Sequence, residues 1–480
     1  MSPVTETRNP LARAFEPAVE CPEEVELAVT GTIPHELRGT LYRNGPARFE
    51  AGGFRAEHPF DGDGLVTKFV IDAGTVRFRS RYVRTPKFLA EERNRGAGVR
   101  GLYSKAAGLR ANLGRPPADN ANTHAVVHAD RLLALSDVGR PWDIDPVDLS
   151  TKGPCDFDGT LSRLSRFSPH PKIDPVTGEL FNFGLDLAVG RKISPSLRCY
   201  RVDPAGRART LGVIALDDVI VQHDFAITEH FLVFALAPIT VDPVRAGLAM
   251  LGRGTHGDAA AYRPERGMRI VLVPRDGGRH RIIECEPFIY VHIDNAYEDG
   301  DDVVLDVVRH DSLEFLTGAL KKFRDGLPAV GRPVRVRITR TGRVEREDLG
   351  EFTSVEFPMH DERRTGQAHR FSYFAAYHPE SAGAIVKFDH HTGGEHRHEF
   401  TAGEFPGEPV FVPRSATAAE DDGWILALTY LAAEHRTALI ILDAKDIERA
   451  PLAIARLHGH VFPGFHGSFT DRVVPAGAAR

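Results

Sequence analysis

The chain consists largely of short apolar runs, each closed by a turn residue. The runs are rich in Val, Ile, Leu and Phe, they recur from about residue 41 to the C-terminus, and Gly, Asp, Asn or Pro follows them. This pattern is typical of β-strands linked by turns. Representative predicted strands are Val66–Ile71, Arg131–Leu135, Phe231–Leu236, Arg269–Val273, Val303–Val308, Ala384–Phe388 and Trp424–Tyr430.

Helical periodicity is confined to a few segments, namely Phe88–Lys105, Val244–Leu251 and Ser312–Arg324. The sheet must therefore carry most of the core, and the predicted fold class is all-β. So many strands must protect their edges, and radial closure into a β-propeller leaves only short edges exposed. Because the sequence shows no clean internal repeat or Trp-Asp signature, stacked sandwiches remain the alternative on these grounds.

We expect a single propeller domain over residues 21–472. The segments 1–20 and 473–480 are rich in Pro, Gly and Ala and are predicted to be flexible tails. Residues 100–120 are expected to form a loop or helical insertion that contributes to a cap on one face.

Charge and cysteine content exclude several classes of protein. The net charge of -6 and the pI near 6.4 provide no basic field for nucleic acid. The four cysteines have no paired spacing, which favours free thiols in a reducing compartment. The N-terminus lacks an apolar signal core, and the longest apolar run, residues 231–241, is shorter than the about 20 residues that span a bilayer. We therefore expect a cytoplasmic protein with no obligate protein partner.

Four of the 22 histidines stand out by their context. Each ends an apolar stretch beside a turn-forming Pro, Asp or Gly: His170, His223, His292 and His466. Strand ends from different blades of a propeller can face one axis, so a metal site there needs no short-range ligand spacing. Taken singly, a histidine is more often structural than ligating, and the residues alone leave this site open.

Other histidines provide rival interpretations. His458 and His460 are predicted to alternate along one strand face near His466 and could belong to a zinc site. The remainder read as ordinary strand, loop or turn residues, among them His58, His124, His128, His390, His391, His396 and His398.

The chain resembles the carotenoid cleavage oxygenase family from about residue 41 to residue 469. Eight motifs carry the resemblance in the family's order: GTLYRNGP (39–46), HPFDGDGLV (58–66), ANT with RLLAL (121–135), SPHPKIDPVTGE (168–179), QHDFAIT (222–228), HIDNAYED (292–299), GEPVFVPR (407–414) and PGFHGSF (463–469). The resemblance implies a seven-bladed propeller with a non-haem Fe(2+) on its axis. Its four ligands would be His170, His223, His292 and His466.

The resemblance also implies carboxylates behind the ligands. Four neutral imidazoles leave the charge of a divalent ion uncompensated, and a metal-bound histidine usually donates its other N–H to a carboxylate. By motif the family's acids fall on Asp137, Glu356 and Glu408. Asp137 departs from the usual Glu, and its shorter side chain must shift its backbone, use a water or leave its histidine unbraced.

The expected reaction is cleavage of a conjugated C=C bond by O2 into two carbonyl products. Four ligands leave two coordination positions of the iron open, so that dioxygen can bind next to an alkene. The protein orients the double bond toward it. Thr123 matches a family threonine whose methyl group crowds an open position, and an ordinary strand threonine is the alternative interpretation.

A carotenoid or apocarotenoid is the predicted substrate. Ser136 occupies the position where the stilbene-cleaving branch typically has lysine, and Ala237–Arg275 resembles the apocarotenoid branch, whereas Cys155–Gly159 resembles the stilbene branch. A stilbene-cleaving dioxygenase is therefore the alternative. Further alternatives are an iron isomerase of retinoid esters and a non-catalytic binding propeller. A polyene substrate suggests peripheral membrane contact through residues 88–113 or 244–251.

Overall fold

The computed structural model describes residues 10–477 except 52–53, 94–98, 107, 190–192, 318–330, 353 and 378–382. The first half of the described chain contains β1 (Cys21–Glu26), β2 (Ala28–Gly31), β3 (Gly39–Arg48), β4 (Glu50–Ala51), β5 (Phe54–Arg55), β6 (Asp63–Asp72), β7 (Thr75–Tyr82), β8 (His124–His128), β9 (Arg131–Leu135), β10 (Trp142–Ile144), β11 (Thr151–Pro154), β12 (Lys172–Ile173), β13 (Leu180–Val189), β14 (Ile193–Val202), β15 (Ala208–Ala215), β16 (Ala226–Ile227), β17 (Phe231–Leu236) and β18 (Ile239–Val241).

The second half contains β19 (Ala260–Tyr262), β20 (Met268–Pro274), β21 (Arg281–Cys285), β22 (Ile289–Asp299), β23 (Asp302–His310), β24 (Arg332–Ile338), β25 (Val344–Asp348), β26 (Val355–His360), β27 (Phe371–Ala376), β28 (Ala384–Asp389), β29 (Gly394–Glu399), β30 (Glu404–Pro413), β31 (Gly423–Leu431), β32 (Arg436–Asp443), β33 (Ala453–Arg456) and β34 (His466–Thr470). The α-helices are α1 (Pro86–Arg93), α2 (Pro243–Met250) and α3 (Glu314–Thr317). Short 3-10 helices span Pro10–Phe15, Pro59–Asp61, Leu109–Ala111, Gly257–Ala259, Pro264–Arg266 and Glu362–Arg364.

The strands assemble into seven blades around one axis, which confirms the predicted propeller. Four blades are separate sheets: β12 to β15, then β16, β17, β20 and β21, then β22 to β25, then β26 to β29. A fifth consists of β30 to β33 with β2 on its outer edge. The other two share a nine-stranded sheet, in which β8 to β11 form one blade and β34, β3, β6, β7 and β1 form the other. All seven representative strands predicted from the sequence lie within observed strands.

The C-terminal strand closes the ring. β34 lies between β3 and β8: it pairs antiparallel with β3 from Asn44 to Thr40 and joins β8 through one parallel pair, His466 with His124. On the neighbouring blade the N-terminal β2 adds to β33. Both termini thus contribute to the closure, and no inner edge is left unpaired at this point of the described structure.

The hydrophobic core lies between adjacent blades. In one cluster Ile293 and Leu305 of one blade pack with Val233 and Ile270 of the preceding blade, and all four are buried. Several strands, among them β27, β28 and β31, are buried at every position, so both of their faces pack in the core.

The helical predictions are partly confirmed. α2 lies where Val244–Leu251 was predicted, and α3 begins within the predicted Ser312–Arg324, whose residues from 318 onward lie outside the described part. The helix predicted over Phe88–Lys105 is wrong over residues 99–105, which form no helix, while residues 94–98 lie outside the described part. Three glycines between residues 96 and 101 disfavour a helix there. In addition, the Asp61 carboxylate accepts hydrogen bonds from the backbone of Leu102 and Tyr103, at 2.7 and 2.9 Å.

The insertion at residues 100–120 is a loop that packs on α2. The buried Arg100 guanidinium donates to the carbonyls of Asn112 (3.0 Å) and Ala249 (2.7 Å), and the Gly114 N–H donates to Met250. Loop and helix together form a cap. No helix among the described residues is long and apolar enough to cross a bilayer.

The described parts of both expected tails contact the propeller. Leu11 and Phe15 are buried, and the Phe15 ring packs on Phe49 and Phe462. At the other end, Val474 donates to the Thr40 hydroxyl and accepts from a buried lysine. The expected tails over residues 1–20 and 473–480 are therefore corrected, because apolar side chains and backbone hydrogen bonds fix residues 10–18 and 473–476. Residues 1–9 and 478–480 lie outside the described chain.

Replacing Phe15 tests this correction. Because the ring is fully buried, Phe15→Ala should reduce the free energy of unfolding by about 3 kcal/mol. The matched change Val19→Ala removes a side chain that is 85% exposed and should have an effect below about 0.5 kcal/mol. Equal urea-unfolding midpoints for the two variants would show that the segment does not contribute to the fold.

Candidate metal centre

The four singled-out histidines lie at one end of four inner strands. His170 and His223 closely precede β12 and β16, His292 lies in β22, and His466 begins β34. The pairing of β22 with β23 shifts register between Tyr290 and Ile293, and such a bulge redirects a side chain. Each histidine belongs to a different blade, and their side chains meet on the propeller axis.

The imidazoles form one compact cluster. The Nε2 atoms of His170 and His223 are 2.9 Å apart. The ligand atoms of His170, His292 and His466 all lie within 4.8 Å of one another, and these three residues are buried. The ring centroids of His170 lie 4.4 Å from His223, 5.0 Å from His292 and 4.5 Å from His466.

A carboxylate binds the Nδ1 atom of three of the four rings. The contacts are His223 to Asp137 (2.8 Å), His292 to Glu356 (2.5 Å) and His466 to Glu408 (2.6 Å). A carboxylate can only accept here, so Nδ1 carries the proton and donates it. The lone pair of Nε2 is then left to face the centre of the cluster, as metal ligation requires.

Burial keeps two of the ligands neutral. The pKa of His170 lies well below its usual range because the ring is desolvated and surrounded by other histidines. Desolvation and the nearby His292 lower the pKa of His466 in the same way. Desolvation also opposes a charge on His223, but the Asp137 carboxylate outweighs it and raises the pKa of that ring. Deprotonated imidazoles are the form that a metal ion requires.

Glu356 is held between two histidines. His310 donates through Nε2 to one carboxylate oxygen (2.7 Å), while His292 and the Phe357 N–H donate to the other. Burial raises the pKa of Glu356, but the two histidines outweigh that effect and hold it well below its usual range. The carboxylate therefore stays anionic.

Glu408 is braced by a buried cation. Its second oxygen forms an ion pair with the Arg43 guanidinium, which also donates to the Phe465 carbonyl at 3.0 Å. Phe465 precedes His466, so Arg43 holds both the carboxylate and the backbone of this ligand. Gly467 leaves room for it, since a Cβ there would lie 2.7 Å from Arg43 Cδ.

Asp137 reaches its histidine directly, despite being one methylene shorter than the usual Glu. Its side chain is 36% exposed, whereas Glu356 and Glu408 are 0% and 5% exposed. The three carboxylates thus lie in different environments, and Asp137 is the most accessible to water.

These residues fit a divalent transition metal. The His292 Nε2 atom is buried and has no hydrogen-bond partner among the described residues. Two nitrogen ligands about 2.1 Å from an ion and at right angles are about 3 Å apart, close to the 2.9 Å between His170 and His223. An imidazole donor set suits iron, copper, nickel and zinc.

The two sides of the cluster differ in polarity. Residues 462–465, which precede His466, line an apolar cavity of about 50 Å³ together with aromatic and proline residues of other segments, and in it Phe357 stacks on His292 and contacts His466. Residues that follow the ligands line a channel of about 330 Å³, whose wall includes several charged side chains as well as apolar ones. The cavity and the channel lie on opposite sides of His466, because residues before it line the cavity and residues after it line the channel.

Several residues have roles that differ from the sequence expectation. His458 and His460 do not alternate on a strand, because β33 ends at Arg456, and His460 contacts the Glu16 carbonyl instead. The sequence analysis missed Arg43 and His310. Arg43 lies in the conspicuous GTLYRNGP motif, whereas nothing in the sequence near His310 indicates its contact with Glu356.

Thr123 is buried next to the cluster. Its carbonyl accepts from the His466 N–H at 3.0 Å, and its hydroxyl donates to Asn122 at 3.3 Å. His124, interpreted as an ordinary strand residue, packs 5.5 Å from the His466 ring and binds the Pro169 carbonyl through Nδ1.

Comparison with known proteins identifies the family. A family model described as retinal pigment epithelial membrane protein matches residues 14–471. The apocarotenoid-15,15'-oxygenase of Synechocystis sp. is 34% identical over 459 residues, 92% of each chain. The lignostilbene-alpha,beta-dioxygenase isozyme III of Sphingomonas paucimobilis is 30% identical over 477 residues, 93% of this chain and 94% of its own.

The fold agrees with a solved relative. The crystal structure of cobalt-substituted Synechocystis apocarotenoid oxygenase matches with a TM-score of 0.87 and 33% identity, covering 96% of this chain and 99% of that one. Sequence, fold and the histidine cluster agree with one another, and the chain belongs to the carotenoid cleavage oxygenase family.

Proposed function

We propose that this protein is a non-haem Fe(II) dioxygenase that cleaves a conjugated C=C bond of a carotenoid or apocarotenoid with O2 into two carbonyl products. The observation that carries the proposal is a cluster of four imidazoles, three of them braced by carboxylates, beside a wholly apolar cavity. The proposed iron ligands are His170, His223, His292 and His466.

The chain's own residues prepare the site. When bound, the iron would supply the binding and activation of dioxygen. Asp137, Glu356 and Glu408 orient their histidines and keep Nε2 available, while the apolar cavity excludes water and holds the olefin. One alkene and one O2 account for all atoms of two carbonyls, so the reaction requires no general base. Thr123, fixed beside His466 by its carbonyl, is proposed to shape the oxygen position.

The lining of the cavity favours a polyene over a phenol. Its wall consists mainly of aromatic and proline residues, including Phe60, Phe357, Tyr377, Phe405, Phe462 and Phe465. At the position of the stilbene-branch lysine, the Ser136 hydroxyl donates to Asp119 at 2.6 Å and supplies no cation for a phenolate. The relative named as a lignostilbene dioxygenase makes stilbene cleavage the second candidate.

The decisive experiment is product analysis. Iron-loaded protein in ¹⁸O2 should convert an apocarotenal into two carbonyl products that each carry one labelled oxygen, resolved by chromatography and mass spectrometry. A hydroxystilbene should be cleaved more slowly. His292→Ala should lose the bound iron and more than about 100-fold of the activity, a larger loss than removal of an outer carboxylate causes.

His460→Ala is the matched control, because His460 lies outside the cluster and should retain iron and activity. Faster cleavage of the stilbene would favour the second candidate. Persistent zinc, or no metal after anaerobic iron reconstitution, would instead favour a binding propeller. Isomerised products without labelled oxygen would indicate an isomerase.

The Asp137 and Glu356 carboxylates should contribute unequally to the metal affinity. Asp137→Asn should weaken metal affinity by about 10-fold. Glu356→Gln should weaken it by about 100-fold, because this position is buried and water cannot replace the lost hydrogen-bond acceptor. Asp137→Glu should retain the affinity of the wild type, since it preserves the acceptor. Competition with a chelator measures all three, and an unchanged affinity in both amide variants would show that the carboxylates do not support the ligands.

We further propose a cytoplasmic protein with peripheral membrane contact. The four cysteines are free thiols, which suits a reducing compartment. Exposed apolar side chains of the cap loop and α2 adjoin each other, and they include Leu109, Leu113, Val244, Leu248 and Leu251. Arg110, Arg245 and Arg253 are exposed beside them and suit an anionic lipid surface.

The cap also leads toward the apolar cavity. The Tyr103 ring of the cap stacks on His58 at 4.0 Å and lies 6.2 Å from Phe60, which contacts Phe465 at 5.5 Å. A polyene leaving a bilayer at this surface would therefore meet a continuous series of rings toward the metal centre.

Liposome flotation tests the membrane contact. The double variant Leu248→Gln with Leu251→Gln should float several-fold less with anionic vesicles than the wild type. The control pair Val213→Gln with Ile282→Gln removes about as much exposed apolar surface elsewhere and should behave as wild type. Equal flotation of all three proteins would count against this surface.

A further inference from the structure

A channel with charged and apolar residues in its wall runs along the propeller axis next to the histidines. Its volume is about 330 Å³, and inner strands of several blades contribute to its wall through Val126, Lys172, Ala226, Asp294 and Ser468. Glu362 and Pro175, which also line it, are exposed to solvent. The channel therefore connects the axis with water.

The channel ends on the proposed metal ligands. His170, His292 and His466 line its inner end, and the His292 Nε2 atom there is buried without a partner among the described residues. The opposite approach passes through the aromatic cavity, where a hydrated cation would lose its water with no oxygen ligand in exchange. The polar side is the one that suits an ion.

Most charged groups in the channel are already paired. Lys172 contacts Asp224 at 2.9 Å, and the Arg363 guanidinium is held by Asp361 at 2.6 and 2.9 Å. Asp294 accepts hydrogen bonds from two neighbouring histidines. These groups provide polarity but little net charge.

Glu362 differs from them. None of the described residues donates a hydrogen bond to its carboxylate or forms an ion pair with it. The carboxylates of Glu408 and Asp361 lie near enough to repel it, and the Lys172 ammonium offsets only part of that repulsion. A cation in the channel would relieve this repulsion, so the position favours a passing divalent ion.

We propose that the axial channel is the path by which the divalent metal reaches the histidines, and that Glu362 draws the ion into it. The proposal rests on the metal centre proposed above. The protein thus takes up its ion through one face of the site and its apolar substrate through the other.

The rate of metal uptake tests the path. Metal-free full-length protein is mixed anaerobically with Fe2+, or with Co2+ alone, and uptake is followed by the Co2+ absorption bands or by the Fe2+ left for a chelator. Glu362→Gln should load about 5-fold more slowly and with a weaker dependence on ionic strength. Glu362→Lys and Ser468→Lys place a cation in the channel and should load about 10-fold more slowly or worse.

The amount of metal bound at equilibrium separates the two proposals. All variants should finally bind about one ion per chain and unfold at the wild-type temperature. Glu57→Gln and Glu57→Lys, at an exposed position outside the channel, should load like wild type. If wild type itself binds no metal, the metal centre fails. If it binds metal but the three channel variants load as fast as wild type, the centre stands and the path is wrong.

Discussion

The metal centre depends on the insertion of β34 between β3 and β8. This pairing joins residues more than 400 positions apart, as in the contact of the Thr40 hydroxyl with the Arg472 carbonyl. It places His466 at the start of β34 beside His124 of the neighbouring blade. Because the entropic cost of closing a loop grows only slowly with its length, one well-paired strand can close so large a ring. A metal ion that binds only the closed ring would in turn stabilise that closure.

Charge balance is the second constraint. A divalent ion held by neutral imidazoles brings two positive charges into a buried site, which is costly unless they are compensated. The carboxylates of Asp137, Glu356 and Glu408 bring three negative charges, and the Arg43 guanidinium removes one of them. The remaining two match the ion. Arg43 is thus part of the balance and not only a brace, and its own burial is tolerable because Glu408 neutralises it.

Local patterns explain what the sequence predicts well. Short apolar runs such as Val66–Ile71 are closed by turn residues, here Asp72 and Gly74, so strands and the all-β class follow from short-range chemistry. The number of blades comes from the family resemblance, because no repeat marks them. The helix expected over residues 99–105 and the flexible tail expected over residues 10–18 are not found, because contacts distant in sequence decide their structure, namely Asp61 with residues 102 and 103 and Phe49 with Phe15.

The histidine ligands show the same difference between local motifs and contacts that are distant in sequence. Motifs select four of the 22 histidines, but the partners behind them lie far away, as His310 does from Glu356 and Arg43 from Glu408. No spacing rule predicts such pairs, since the strands that carry them belong to different blades. The two faces of the centre also combine distant segments. Residues before His466 line the apolar cavity together with aromatic residues of other segments, whereas residues after all four histidines line the channel. Substrate and ion can then approach the same histidines without sharing a path.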